Sequence, residues 1–423
     1  MNGGPRNSMS PSVLLQIPQT VAEMLNFRAM SDLPAHIFRR SGLPPLWTSE
    51  ALYFSGDEFY ADILRDIDKA NSIVTVEMYI FEDDPLGERF FQTLEAAAKR
   101  GVRVLIMLDG VGSHSFIQKL QTREYNTNIK IKVYNPHPWS FTNEHFVDYF
   151  RMVSVFFKRL FGVNRRNHRK LITVDERTVY SGSFNITTAH SKEFRQDEAW
   201  HDIGVRLTGW VAPLMILALM RNWGLTAFFR YRRKMPKKRF ISFNHPDVRL
   251  NQDFRLRRHL YKDFLQRLKK SRTRIWLSTG YFQPKRRIIR LLKAAAKRGV
   301  DVRILLSTKS DVFYYSLLQT YYHYELIKAG VKIYEFDPTV IHAKNYFIDE
   351  WVTVGSTNLN YRSFMHDLEV DFRIQHPDNK KRLNKNFEEQ QMASREVTLE
   401  SLNARKWWLQ LFSRFVFLFR YWN

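Results

Sequence analysis

A chain of 423 residues with 44% hydrophobic and 15% aromatic content is long enough for two modules with real cores, which excludes disorder as its main theme. Its 66 Lys and Arg against 42 Asp and Glu leave a net charge of +24, the mark of a polyanionic partner, either nucleic acid or an anionic membrane surface. It has no cysteine, so disulfides and cysteine-ligated zinc are excluded.

Residues 1–48 carry Gly, Pro and Ser with one short apolar piece at 13–17, and read as a surface-lying lead-in. No charged start is followed by an apolar core, so no signal peptide is expected, and Arg39-Arg40 runs too soon into Pro44-Pro45 for a twin-arginine signal. From Asp57 the pattern becomes regular: a helix over 60–69, a buried strand over 72–81, a helix over 89–100 closed by Gly101, and a strand over 102–108. This unit recurs, because LEAAAKRGV at 94–102 is matched by LKAAAKRGV at 292–300, each copy lying between two strands.

The segment 136–164 is aromatic. Phe146, Phe150, Val153, Phe157 and Leu160 recur at helical spacing with Arg151, Lys158 and Arg159 between them, a pattern that suits either a core-facing helix or one lying in a membrane interface. Next comes NHRKLITVDERTVYSGSFN at 167–185, and later IHAKNYFIDEWVTVGSTN at 341–358. Each copy has a His, a Lys two residues on, an Asp seven residues after the His, and then Gly-Ser-x-Asn, on aliphatic and aromatic residues that predict a strand, a turn at the Asp and a second strand. Residues two apart on a strand share a face, so His168 points with Lys170 and His342 with Lys344. Asp175 and Asp349 fall at odd spacing near the turn and are expected to do structural more than chemical work. Two His/Lys pairs brought together across a pseudo-two-fold axis make a phosphate site with a nucleophile on one side and a proton donor on the other.

Between the copies, the apolar run 207–220 is bounded by Arg206 and Arg221 and is too short to span a bilayer. A basic run follows from Arg230 to Arg239, split by Pro236, and reads as a solvated linker or as an attachment to anionic lipid. The chain closes on WWLQLFSRFVFLFRYWN at 407–423, where Trp408, Phe412, Phe415, Phe419 and Trp422 form a stripe at helical spacing that suits burial against the modules or a bilayer interface.

At its two motif stretches the chain resembles the phospholipase D superfamily, marked by two copies of H-x-K-x(4)-D followed by G-S/G-x-N, and within it the bacterial cardiolipin synthases of the short type without a transmembrane N-terminus. Five residues separate Asp349 from Gly355 where six separate Asp175 from Gly182, a mild departure in a turn. The resemblance implies an α/β fold of two similar α/β/α modules packed with pseudo-two-fold symmetry around one active site. The expected division is a lead-in over 1–48, a first module over 49–229 with the insertion 136–164, a basic linker over 230–253, a second module over 254–376 and an amphipathic tail over 377–423.

The resemblance also implies the site. The motif residues His168, Lys170, Asp175, His342, Lys344 and Asp349 are catalytic, Ser183, Asn185, Ser356 and Asn358 hold phosphate, and a carboxylate in the following strand orients each His. That last role falls to Asp202, 34 residues after His168, and to Glu369, 27 residues after His342, with Glu198, Asp367 and Asp371 as neighbouring competitors. The chemistry expected is transfer of a phosphatidyl group through a phosphohistidine, forming cardiolipin from phosphatidylglycerol and a second phospholipid, with no metal and no other cofactor. The expected partner is an anionic membrane surface, bound peripherally at the bacterial inner membrane, and not nucleic acid. Hydrolysis by a phospholipase D, cleavage of nucleic acid by a superfamily nuclease and a catalytically idle scaffold are the alternatives.

Overall fold

The computed structural model describes residues 45–136, 165–224, 244–309 and 320–404. The lead-in up to residue 44, the aromatic insertion from 137, the basic run 230–239 and the aromatic tail from 407 lie outside the described residues.

The first half contributes β1 (Ser49–Tyr53), β2 (Ile73–Met78), β3 (Arg103–Asp109), β4 (Ile129–Tyr134), β5 (Lys170–Val174), β6 (Thr178–Gly182) and β7 (Gly204–Thr208), with helices α1 (Gly56–Asp68), α2 (Pro85–Lys99), α3 (His114–Thr122) and α4 (Val211–Trp223). They form one seven-stranded sheet in the order β1-β7-β6-β5-β2-β3-β4. The strands joined by crossover helices, β2, β3 and β4, run parallel, while the hairpin β5–β6 and its neighbours β7 and β1 are antiparallel. The two helices that flank β2 start where the sequence offers a cap. Ser55 accepts from the Glu58 N–H ahead of α1, and Asp84 accepts from the Gly87 N–H ahead of α2, whose first residue is Pro85. Phe59, Tyr60, Ile63 and Ile67 of α1 then face the sheet at helical spacing.

The second half repeats this plan with β8 (Asn244–His245), β9 (Val248–Leu250), β10 (Arg274–Ser278), β11 (Phe282–Gln283), β12 (Asp301–Ser307), β13 (Lys332–Phe336), β14 (Asn345–Ile348), β15 (Trp351–Gly355), β16 (Leu359–Asn360), β17 (Val370–Arg373) and β18 (Ser394–Glu396). Its helices are α5 (Phe254–Lys270), α6 (Arg286–Lys297), α7 (His323–Ile327), α8 (Tyr361–Met365), α9 (Pro377–Met392) and α10 (Leu399–Asn403). The second sheet runs β18-β13-β12-β10-β14-β15-β17-β9-β8, and β11 pairs with β16 beside it. In these terms β10 stands for β2, β12 for β3 and the hairpin β14–β15 for β5–β6.

Two boundaries differ from the sequence reading. Residues 244–250, read as linker, form β8 and β9, and β9 pairs with β17 as β1 pairs with β7. Residues 377–396, read as tail, supply α9 and β18, and β18 pairs with β13 at the sheet edge. Both pieces escape a periodicity reading for physical reasons. β9 has only three residues, and α9 is polar except where Leu383 and Phe387 meet the core.

The two sheets face each other. Leu171, Val179, Val205 and Leu207 from one and Val352, Val354, Val370 and Phe372 from the other share a single apolar cluster with α4 and with Phe387 of α9. That position explains the apolar run in the sequence: residues 211–220 of α4 are buried on every side because the helix lies inside the molecule. The outer faces are covered by α1 and α2 on the first sheet and by α5 and α6 on the second, each pair over its own core. Short parallel bridges tie the halves at the points where the motifs begin, Asn167 to Leu368 and His201 to Ile341.

Candidate active site

Each motif histidine sits two residues ahead of the lysine that leads into its hairpin, and backbone from the opposite half holds it there. The His168 N–H donates to the Leu368 carbonyl at 3.0 Å, and the His342 N–H donates to the His201 carbonyl at 2.9 Å. Both rings are buried, 7% and 6% exposed. His168 Nδ1 lies 3.0 Å from Glu369 Oε2 and 3.1 Å from the Ser356 carbonyl. A carbonyl only accepts, so Nδ1 carries the proton and Nε2 of the neutral ring is the free lone pair. His342 Nδ1 lies 2.8 Å from Asp202 Oδ1, which sets the same tautomer against an ionised carboxylate.

The orienting carboxylates are therefore crossed. Sequence order pairs Asp202 with His168 and Glu369 with His342, but the fold gives Glu369 to His168 and Asp202 to His342. The cause lies in the two bridges: the strand that follows each motif hairpin starts beside the other module's histidine. Neither half holds a complete site.

The lysines stand directly behind the rings. Lys170 Nζ donates to the His168 carbonyl at 2.8 Å and lies 4.9 Å from the centre of the Tyr79 ring, while Lys344 Nζ donates to the His342 carbonyl. Tyr79 also meets His168 edge-on at 4.8 Å. Burial, and then the charges of Lys170 and Lys344, hold His168 well below its usual range. Burial and Lys344 bring His342 down to about 3 in spite of Asp202. Lys170 is itself lowered by burial and by Lys344. Both histidines and both lysines are thus buried close enough for their charges to oppose one another, and an entering phosphate anion would relieve the repulsion.

The Gly-Ser-x-Asn residues divide in two. Ser356 Oγ donates to Glu369 Oε2 and accepts from the Val370 N–H at 3.0 Å; Ser183 Oγ accepts from the Ile203 N–H at 3.0 Å. Both hydroxyls thus bond within the protein, Ser356 on the carboxylate that meets His168 and Ser183 on the backbone just ahead of β7. Asn185 and Asn358 use their side-chain oxygens, accepting from the Ile80 N–H and from Thr279 Oγ, and among the described residues neither amide nitrogen has a partner. Asp175 and Asp349 stand at the far ends of the hairpins. Asp175 accepts from the N–H groups of Asn71, Ser72 and Ile73, and Asp349 from those of Arg272, Thr273 and Arg274.

Sequence reasoning missed His190. Its Nδ1 lies 2.5 Å from Asp202 Oδ2, so a single carboxylate serves two imidazoles, and Trp200 packs against both rings at 5.2 and 5.5 Å. His190 has no counterpart in the second motif, and duplication was the signal that singled out the rest. With burial opposing ionisation, the two facing histidines still hold Asp202 well below the carboxylate range, whereas burial pushes Glu369 up to about 7. Among the described residues, His190, Asp202 and His342 also form the one group with metal-ligand spacing, their ligand atoms lying within 4.8 Å of one another. A metal ion there would displace the Nδ1 proton of His342 and take that ring out of its hydrogen bond, so this group fits an inhibitory metal better than a catalytic one.

The profile of the family described as "Cardiolipin synthase, PLD-like domain" matches residues 63–199 and 264–391, one stretch in each module. The chain belongs to this family of phospholipase D-like cardiolipin synthases. It is 30% identical to cardiolipin synthase 1 of Staphylococcus aureus (strain COL), over 84% of this chain and 69% of that one. It is 26% identical to a probable cardiolipin synthase of Bacillus subtilis (strain 168), over 81% of this chain and 66% of the relative. The chain thus spans about two thirds of the length of these cardiolipin synthases. Its fold is shared with the phosphatidylserine synthase of Haemophilus influenzae Rd KW20, with a TM-score of 0.61 at 14% identity, covering 87% of this chain and 93% of that one. No described helix is long and apolar enough to cross a membrane.

Proposed function

We propose that this protein is a phosphatidyltransferase that makes cardiolipin from phosphatidylglycerol and a second phospholipid, working peripherally at an anionic membrane. The observation that carries the reading is the crossed pair of histidines. Each ring has its Nδ1 proton tied to a carboxylate across the site and an Nε2 without a protein partner among the described residues. In the first step Nε2 of one histidine attacks phosphorus and the P–O bond to glycerol breaks, while the other histidine, protonated, gives its proton to the leaving oxygen. In the second step that histidine takes the proton from the hydroxyl of the acceptor lipid, whose oxygen bonds phosphorus as the P–N bond breaks. Lys170, Lys344, Asn185 and Asn358 stabilise the charge on the non-bridging oxygens. Ser183 and Ser356 set the backbone and carboxylate around them. Low basicity suits the attacking ring, which must enter neutral; the proton that its partner donates is taken up from solvent as the anionic substrate binds, because the phosphate charge offsets that of Lys170 and Lys344.

The test is an assay with phosphatidylglycerol labelled in the phosphatidyl group. Labelled cardiolipin with released glycerol supports transfer. Labelled phosphatidic acid alone would make the protein a hydrolase, and cleavage of DNA without any lipid product would overturn the lipid reading.

A further inference from the structure

The two modules offer a built-in control for the surplus charge. α1 and α2 cover the first sheet as α5 and α6 cover the second, with the same packing of apolar faces inward. Their outward faces differ in sign. α1 has one Arg against five acidic residues and α2 has two basic against two acidic, a pair at −4. α5 has seven Lys and Arg against one Asp and α6 has five against none, a pair at +11. The fold does not demand this charge, since the equivalent pair does without it.

The arrangement also works against helix stability. Neither α5 nor α6 has an acidic residue in its first turn, and both place arginines there, at the end where the helix dipole favours anions. Arg255, Arg258 and Lys262 follow one another at three- and four-residue spacing along α5, as do Arg286 and Arg290 on α6, so like charges stack. Arg255, Arg258, Lys262, Arg286, Arg287 and Arg290 are exposed, and among the described residues none is in an ion pair.

The same helix ends lie on the active-site side. Asn251, just ahead of α5, accepts from the Glu369 N–H, and Arg257 donates to the Met365 carbonyl, three residues before the Leu368 that holds His168. α6 begins beside β11, whose partner β16 follows directly on motif residue Asn358. The distal ends, Lys269, Lys270 and Lys297, lie by the Asp349 turn. At the near end Phe254, the first residue of α5, stands 65% exposed among the arginines.

We infer that the active-site ends of α5 and α6 are the face on which this enzyme docks on an anionic phospholipid surface, with the arginines on the headgroups and Phe254 in the headgroup layer. This rests on the phosphatidyltransferase reading for its biological sense, since it sets the site mouth against the layer that supplies its substrate. Two packed helices with charge along their outward faces and an exposed ring at the start of one suit a broad lipid interface.

The experiment uses the full chain with vesicles of phosphatidylglycerol in phosphatidylcholine. Replacing Arg255, Arg258, Arg286 and Arg287 by Gln should weaken vesicle binding on the order of 100-fold and leave thermal stability equal or higher, whereas replacing Lys269, Lys270 and Lys297 by Gln should weaken it only a few-fold. Phe254→Ser should remove part of the binding that survives high salt. Turnover of a short-chain, water-dispersed phosphatidylglycerol should stay unchanged in the near-end variant while turnover on vesicles falls with binding. Equal losses from near and distal variants would mean plain net charge and overturn the docking face, as would unaltered vesicle binding combined with lost DNA binding. If the unaltered protein turns over neither form of the lipid, the phosphatidyltransferase reading fails, and the near-against-distal binding comparison still decides the surface.

Discussion

The two halves of the active site carry the same motif and support it differently. Behind His342 stands Asp202, with one oxygen on His342 and the other on His190, held ionised by both. Behind His168 stands Glu369, whose Oε2 is shared by the ring and the Ser356 hydroxyl, and whose carboxyl is pushed up to about 7. The two rings therefore meet differently charged partners, an ionised carboxylate behind His342 and one pushed toward protonation behind His168. Duplication has preserved the placement of the histidines and let the groups behind them diverge.

The largest expected effect breaks the comparison at its root. His168→Asn and His342→Asn should each lower turnover by about a thousand-fold or more, because the crossed carboxylates make one site of two halves. Two single variants that each keep about half the activity would mean two independent sites. A phosphatidyl-protein adduct trapped in only one of them would show which ring attacks.

The next effect sharpens the comparison. His190→Ala leaves Asp202 Oδ2 without its charged-group hydrogen bond and should lower kcat by about ten-fold or more and shift the pH profile, with His190→Gln restoring most of the rate. Ser356→Ala removes the corresponding support of Glu369 and should cost about five-fold. Equal losses without a pH shift at either position would remove the asymmetry.

A smaller effect appears in stability. His342 titrates near 3 in the folded chain and near 6.5 when unfolded, so above pH 6.5 it contributes no pH dependence. Below pH 6.5 the unfolded chain binds a proton that the folded site refuses, and stability falls by about 1.4 kcal/mol per pH unit on this account. Urea unfolding at pH 7 and pH 5.5 should therefore show a shallower acid loss for His342→Asn than for the parent. The smallest effect concerns metal: dialysis against a strong chelator should leave the rate unchanged, and added zinc should inhibit reversibly and less in His190→Ala. Activity restored specifically by magnesium or zinc after chelation would reopen a catalytic metal.

How much of this could be read from the chain depends on what repeats. His168, Lys170, His342 and Lys344 were legible because they occur twice in one spacing, and the strand–helix–strand units were legible from the duplicated AAAKRGV stretches. The crossing of Asp202 and Glu369 was not legible, since it is set by bridges between residues about 140 and 200 apart, Ile341 with His201 and Leu368 with Asn167, that no local pattern encodes. His190 is a single histidine in a short irregular stretch between Asn185 and Asp202. The charge contrast between the helix pairs was in the composition all along, but it acquires meaning only when the fold shows which helices are equivalent.

Asp175 and Asp349 bear on how such motifs are interpreted. Both sit in the left-handed region, at φ 51° and 50°, and each carboxylate closes its hairpin onto three successive N–H groups at the start of the neighbouring central strand. The third letter of the motif is thus a clasp at the far end of the hairpin from the histidine. Relatives that have lost their histidines but kept the aspartates would retain this shape while losing the reaction, and those with the reverse pattern would keep the reacting groups on a loosened frame. An intact motif therefore reports two separable properties, and a degenerate one should be judged by which letter is missing.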